Sequence, residues 1–226
     1  MKDKIDFSAA GKTATLYTAD KGDAPLIVLN NYSGDGSSVA EAMNDIGCGD
    51  CSLLSVGNLQ WDNDMTPWYC PPLSRNDTPC TGGAEEYLQI LLNEILPETL
   101  SVLNGEPSFV GIAGYSLAGL FALYAMYCTD RFSRIASVSG SLWYPDFREY
   151  ATSHEIYGKP ERLYMSLGDR EAKTRNPGLK AVQDNTEYLA GYYRDKGIET
   201  VFELNEGNHF KDAALRSAKG IAAILK

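Results

Sequence analysis

The sequence has no long hydrophobic run. No stretch of its 226 residues approaches the roughly 18 consecutive apolar residues that a membrane-spanning helix needs. The first residues, Met1 to Lys4, lead into no apolar segment of the kind that opens a secretory signal. We therefore expect a cytoplasmic protein that does not bind a membrane.

Positive charge is scarce. Lys and Arg number 20 against 30 Asp and Glu, which gives a formal net charge of −10. Such a chain repels nucleic-acid phosphates and anionic lipid surfaces. We therefore expect neither nucleic acid nor a membrane among its partners.

Cysteine and histidine are also few, with five and two residues. Cys48 and Cys51 have the spacing of a zinc or redox pair, but no second Cys/His pair at metal-ligand spacing follows. Cys70 and Cys80 flank a proline-rich loop. An odd number of cysteines without an export signal favours reduced thiols over a disulfide framework. We expect no metal site.

No internal repeat, charge block or linker interrupts the chain. Its length suits one domain, since domains average roughly 150 residues, and its 44% hydrophobic and 22% charged residues are those of an ordinary globular protein. We expect a single domain over residues 1–226.

Short β-rich runs alternate with helical patterns, which is typical of an α/β protein with a mostly parallel central sheet and helices on both faces. Several of the runs are apolar at every position, as interior parallel strands are. The predicted strands are residues 13–17, 26–29, 52–56, 109–113, 135–139, 163–167 and 200–204. The predicted helices are residues 37–46, 84–103, 117–127, 177–196 and 212–225.

Residues 60–83 form an irregular segment in this prediction. The segment carries four of the ten prolines and two of the three tryptophans, Trp61 and Trp68. A loop of this length inside a domain usually serves as a lid or a binding wall. The alternative is a loop that only covers a sheet edge.

The most informative motif is Gly114-Tyr115-Ser116-Leu117-Ala118-Gly119, between a predicted strand and an apolar helix. A strand, a sharp turn with a serine and a buried helix are the layout of a nucleophile elbow, in which small residues let the turn close. Ala118 stands where G-x-S-x-G has its second glycine. The alternative for Ser116 is a helix N-cap.

His209 is the better candidate for the base that a serine nucleophile needs. It follows the last predicted strand and precedes the last helix, so the chain order would be Ser, acid, His. The other histidine, His154, lies in no clear element. The acid should follow strand 163–167, where Asp169 and Glu171 offer two carboxylates.

An oxyanion needs two N–H donors. The amide of Leu117, directly after Ser116, is the first candidate. The second is the amide of Tyr32, with Ser33 close behind, in a glycine-containing loop after an early strand.

These residues resemble the esterase branch of the α/β-hydrolase fold that includes the esterase D-like and enterochelin (ferric siderophore) esterase-like proteins. The resemblance covers most of the chain, through Leu-Asn-Asn-Tyr-Ser-Gly (29–34), Gly-Tyr-Ser-Leu-Ala-Gly (114–119), Ser-Gly-Ser-Leu-Trp (139–143), Leu-Gly-Asp-Arg-Glu (167–171) and Gly-Asn-His-Phe (207–210). It implies a serine esterase that hydrolyses a small-molecule carboxylic ester through an acyl-serine, without cofactor or metal. The net negative charge disfavours an anionic catecholate siderophore as the substrate.

The α/β-hydrolase pattern G-x-x-D/E favours Glu171 as the acid, since it is the third residue after Gly168, with Asp169 as the alternative. The ester pocket is expected to include aromatic side chains, above all Trp68 and Trp143, together with Trp61, Tyr69 and Tyr144.

Two rival functions remain. One is nucleotide binding, but the glycine spacings that its motifs require are not met. The other is ligand binding without catalysis on a hydrolase scaffold.

Overall fold

The computed structural model describes residues 3–226 and is built around one large β-sheet with helices on both faces. The strands in this range are β1 (Lys4–Ala9), β2 (Lys12–Tyr17), β3 (Leu26–Asn30), β4 (Ser52–Gly57), β5 (Tyr69–Cys70), β6 (Cys80–Thr81), β7 (Val110–Tyr115), β8 (Arg134–Val138), β9 (Arg162–Gly168) and β10 (Glu199–Asn205). Eight of them form the large sheet in the order β1-β2-β4-β3-β7-β8-β9-β10. From β4 to β10 all neighbours are parallel, while β1 and β2 add an antiparallel edge. The predicted fold class is confirmed.

Helices cover both faces of the sheet. In the described range they are α1 (Ser37–Asp45), α2 (Trp61–Asp64), α3 (Ala84–Ile90), α4 (Leu96–Val102), α5 (Leu117–Cys128), α6 (Phe147–Ser153), α7 (Pro177–Lys180), α8 (Val182–Asp195) and α9 (Ala213–Leu225). A π-helical turn, Leu91–Ile95, joins α3 to α4. Helices α1 and α9 pack on one face, and α3, α5 and α8 contribute to the hydrophobic core on the other.

The central strands are apolar because each is covered on both sides. Every residue of β3 and β4 is buried. Helix α5 is buried along almost its whole length between the sheet and α3, which explains why its sequence is apolar on nearly every side. No helix within residues 3–226 is long and apolar enough to span a bilayer.

All seven predicted strands are present, with ends that differ by at most two residues. The predicted helices are present too, although 177–196 is broken into α7 and α8 and 84–103 is divided by the π-helical turn between α3 and α4. Strand β1 and helix α6 were not predicted. Only every second residue of β1 is partly buried, and it pairs with β2 through a two-residue turn at Ala10 and Gly11, both at positive φ.

The predicted irregular segment 60–83 contains more structure than expected. It holds the short helix α2 and a separate two-stranded ribbon of β5 and β6, in which Cys70 is the direct partner of Cys80. All five cysteines are free thiols in the structure.

The order of the strands indicates where a ligand would be expected on this sheet. After β3 the chain adds β4 on one side, and β7 later pairs with the other side of β3. Open α/β sheets bind ligands beyond the carboxyl ends of the strands at such a reversal. Asn30 at the end of β3 is in register with Gly114 in β7, so the loop with Tyr32 and the turn with Ser116 leave the sheet side by side.

Candidate active site

Ser116 occupies a sharp turn between β7 and α5. Its φ of 59° and ψ of −122° are rare for a residue with a side chain and are the strained geometry of a nucleophile elbow. A Cβ on Gly114 would lie 2.2 Å from the carbonyl oxygen of Ala118, so a glycine is required there. A Cβ on Gly119 would lie 3.0 Å from Cα of Gly140. The second close approach therefore falls at Gly119, and position 118 accommodates an alanine.

Ser116, His209 and Glu171 form a hydrogen-bonded chain. Oγ of Ser116 lies 3.0 Å from Nε2 of His209, and Nδ1 of His209 lies 2.7 Å from Oε2 of Glu171. The Glu171 side chain is 4% exposed and the His209 side chain 31%. The three residues come from loops after β7, β10 and β9, at the edge of the sheet expected for a ligand site. The structure thus brings together the predicted nucleophile, base and acid.

Asp169, the alternative acid, lies elsewhere in the same loop. Its Oδ1 accepts a hydrogen bond of 2.7 Å from the backbone N–H of Gly207, and Arg170 lies 3.9 Å away. Asp169 therefore braces the loop that precedes His209. His154 directly follows α6, where its Nδ1 lies 2.9 Å from the carbonyl oxygen of Tyr150 and its ring stacks on the Tyr150 ring.

The surroundings of Glu171 keep its carboxyl group ionised. Its Oε1 accepts hydrogen bonds from the Gly168 amide at 2.6 Å and the Ser139 hydroxyl at 2.8 Å, and Nη1 of Arg216 lies 3.3 Å away. Burial by itself raises the pKa of Glu171, but hydrogen bonds and charge from His209, together with the Gly168 and Ser139 donors, outweigh it and lower the pKa. A carboxylate is available to orient the imidazole.

Sequence reasoning missed four residues around this chain. Ser141 Oγ lies 3.3 Å from Ser116 Oγ, and the Tyr115 hydroxyl donates to the carbonyl oxygen of His209 at 2.7 Å. Ser139 and Arg216 contact Glu171. Tyr115, Ser139 and Ser141 lie within the motifs that carry the family resemblance but received no role there. Arg216 lies outside those motifs, and its signal is its position on the helical face that α9 buries with Gly220 and Ile224.

The two predicted oxyanion donors lie at the same edge of the sheet. Leu117 is the first residue of α5, so its N–H has no partner within the helix and adds to the positive end of the helix dipole. Tyr32 lies two residues beyond Asn30, just as Ser116 lies two beyond Gly114 on the neighbouring strand. The Tyr32 side chain is 72% exposed, and its ring meets Trp61 edge-on.

A cavity of about 540 Å³ opens over Ser116 and His209. Trp143 lines it as predicted, and segment 60–83 contributes a wall that includes Trp61. Trp68 is not among the described residues that line the cavity. Its ring packs against Tyr144, Phe147 and Tyr150, and its Nε1 donates to the carbonyl oxygen of Pro145 at 3.0 Å.

The placement of Trp68 has a physical reason. A partly buried indole ring can pack against the hydrophobic core while its N–H keeps a hydrogen-bond acceptor, which the backbone carbonyl of Pro145 supplies. The other two aromatic residues expected in the pocket also lie outside its lining: Tyr144 is buried in the core, and Tyr69 is exposed to solvent.

Comparisons with known proteins identify the family and the fold of the chain. The family model "Putative esterase" matches residues 56–212. The uncharacterized protein YbbA of Bacillus subtilis is 26% identical over 194 residues, which cover 80% of this chain and 76% of YbbA.

Among solved structures, the siderophore hydrolase EstB from Aspergillus nidulans superposes with a TM-score of 0.76 at 18% identity, over 98% of this chain and 94% of EstB. An IroE-like serine hydrolase from Shewanella oneidensis superposes with a TM-score of 0.75 at 18% identity, over 93% of this chain and 74% of that protein. Both share the α/β-hydrolase fold with this chain. Because the family match spans more than half of the sequence, the chain belongs to the putative esterase family and is a carboxylic ester hydrolase.

Proposed function

We propose that the protein hydrolyses a small-molecule ester through an acyl-serine intermediate. The observation that carries the proposal is the chain Ser116–His209–Glu171, with its hydrogen bonds of 3.0 and 2.7 Å. Each neighbour in this chain is within the reach that proton transfer requires. The strained turn presents the Ser116 hydroxyl to the cavity.

The reaction proceeds in two halves. Nε2 of His209 takes the proton of Ser116 as Oγ attacks the ester carbonyl, and the imidazolium then returns that proton to the leaving alcohol. Water, deprotonated by His209, hydrolyses the acyl-serine and restores the free hydroxyl. The amides of Leu117 and Tyr32 stabilise the oxyanion in both halves, and Glu171 holds the imidazole in the required tautomer.

Segment 60–83 selects the ester in this proposal. It forms one wall of the cavity and contributes Trp61, which together with Trp143 and Phe210 in the same lining offers apolar contacts to the substrate. The cavity volume of about 540 Å³ is in the range of small-molecule sites. Siderophore esters are one class to assay, since EstB is a siderophore hydrolase, although the net charge of −10 disfavours anionic ones.

Ser116→Ala tests the proposal. The variant keeps the fold because alanine fits the turn, and it loses turnover by on the order of 10⁶-fold, as for other serine nucleophiles. A fluorophosphonate probe should label wild type at Ser116, as read by peptide mass spectrometry, and leave Ser116→Ala unlabelled. Aryl, acyl, sugar and siderophore esters provide the activity panel.

Ser141→Ala is the matched control, because its hydroxyl lies only 3.3 Å from that of Ser116. This variant should still be labelled at Ser116. Substantial activity in Ser116→Ala, or labelling of a different serine, would overturn the assignment of the nucleophile.

A further inference from the structure

Arg216 is a buried cation directly behind the acid. Its side chain, in the first turn of α9, is 3% exposed. Nη1 lies 3.3 Å from Oε1 of Glu171, 3.3 Å from Oγ of Ser139 and 3.4 Å from the hydroxyl oxygen of Tyr115. Removing an arginine from water is costly unless its hydrogen bonds and its charge are satisfied. None of the steps of the proposed reaction uses Arg216.

We propose that Arg216 is a positioning residue for the catalytic chain, which holds Glu171 in orientation and ties down the loop that carries His209. The inference rests on the proposed function. Arg216, Ser139 and the Gly168 amide all contact Oε1 of Glu171. The other oxygen, Oε2, is thereby left to accept the hydrogen bond from His209.

Arg216 reaches the His209 loop by two routes. Nη2 donates to the carbonyl oxygen of Glu206 at 2.9 Å, three residues before His209. The Tyr115 hydroxyl, beside Nη1, donates to the carbonyl oxygen of His209 itself. One guanidinium group therefore joins the acid, the residue next to the nucleophile and the loop of the base. The planar fork of arginine makes this possible, and an ammonium group cannot copy it.

The charge of Arg216 also bears on the base. Glu171 contacts His209 through one carboxylate oxygen and Arg216 through the other. The positive charge of Arg216 therefore offsets part of the negative charge by which Glu171 stabilises protonated His209. The acidic residues Asp62 and Asp77 line the same cavity as His209, and Asp62 accepts a hydrogen bond from Thr78. At the surface, Lys211 pairs with Glu206 at 3.1 Å and Arg170 lies 3.9 Å from Asp169. Loss of the Arg216 charge should therefore favour protonated His209 and weaken the base at low pH.

Arg216→Gln and Arg216→Lys separate the two effects. In Arg216→Gln, kcat should fall roughly 100-fold, because small displacements of catalytic groups are that costly. The acid limb of the kcat/KM profile should also move up by about one pH unit, because the offsetting charge is gone. Arg216→Lys keeps the positive charge, so the acid limb of its kcat/KM profile should stay at the wild-type pH. Because lysine lacks the planar guanidinium group, its kcat should fall about tenfold.

Arg134→Gln is the matched control. Arg134 donates to the carbonyl oxygen of Ile224 at 2.9 Å, near the opposite end of α9. Its loss should lower the melting temperature without moving the acid limb or lowering kcat in the folded enzyme. All variants are compared with Glu171→Gln in the same assay.

Two results would overturn the inference. One is an Arg216→Gln enzyme that is less stable but has the wild-type kcat and acid limb when folded. The other is an Arg216→Lys enzyme with wild-type kcat, which decides the matter even where Arg216→Gln does not fold. If Glu171→Gln is itself fully active, the proposed function fails, whereas an impaired Glu171→Gln beside intact Arg216 variants refutes only this inference.

Discussion

Two carboxylates in one short loop have different surroundings. Glu171 is buried against the imidazole of His209, and Asp169 is turned toward the backbone of Gly207. The carboxylate that contacts the His209 ring is Glu171, the third residue after Gly168, the glycine that ends β9. The physical reason is that the chain must turn once after β9 before a side chain can point back over the sheet, and Asp169 lies within that turn.

Glu171→Gln should lower kcat by on the order of 10⁴-fold, since an amide at this position favours the wrong imidazole tautomer. Asp169→Asn should lower kcat less than tenfold, because it only weakens the hydrogen bond from Gly207 that holds the loop before His209. Steady-state kinetics of both variants in one assay, with melting curves to confirm folding, make the comparison. A large loss in Asp169→Asn beside a near-normal Glu171→Gln would reverse the roles.

At the scale of elements, the segment between β4 and α3 packs against the rest of the protein and also lines the cavity. Trp68 makes the packing contact, since its ring lies among Tyr144, Phe147 and Tyr150. Trp61, on α2, faces the cavity. The sequence marks both tryptophans as part of a binding segment, but cannot tell which of them faces inward, because α6, against which Trp68 packs, was not predicted.

Trp68→Ala should therefore destabilise the protein and leave its selectivity unchanged. We expect the free energy of unfolding to fall by about 2–4 kcal/mol, at the lower side of values for large aromatic truncations because the ring is partly exposed. Relative kcat/KM among esters should stay as in wild type. Trp61→Ala is the counterpart, and should change those ratios with a smaller effect on unfolding. Denaturant titration and an ester panel give both readouts, and the opposite pattern would exchange the two roles.

At the scale of the whole molecule, the net charge of −10 acts on every approaching substrate. A negative field lowers the local concentration of anions and slows their encounter, and salt screens that field. The charge was evident in the sequence, and among the described residues no lysine or arginine lines the cavity to reverse its sign.

An anionic ester should consequently be hydrolysed faster as ionic strength rises. Between about 0.01 and 0.15 M, the screening length falls from about 30 to 8 Å, and kcat/KM for an anionic ester should increase several-fold. A neutral ester with the same reacting group is the control and should show little change. Equal salt dependence for the two esters, or a fall for the anionic one, would contradict this electrostatic account.

The sequence by itself determined the α/β architecture and the central strands, and it predicted the Ser116, His209 and Glu171 that the structure brings together, with Asp169 as the alternative acid. Buried parallel strands are apolar throughout, and an elbow needs its small residues at fixed spacing, so both leave local patterns. Tertiary structure alone decided that Trp68 packs against the core, that Asp169 holds a loop by a hydrogen bond, and that Arg216 joins three segments behind the acid. Those contacts link residues as much as 101 positions apart, and no local pattern encodes which distant partner a side chain meets.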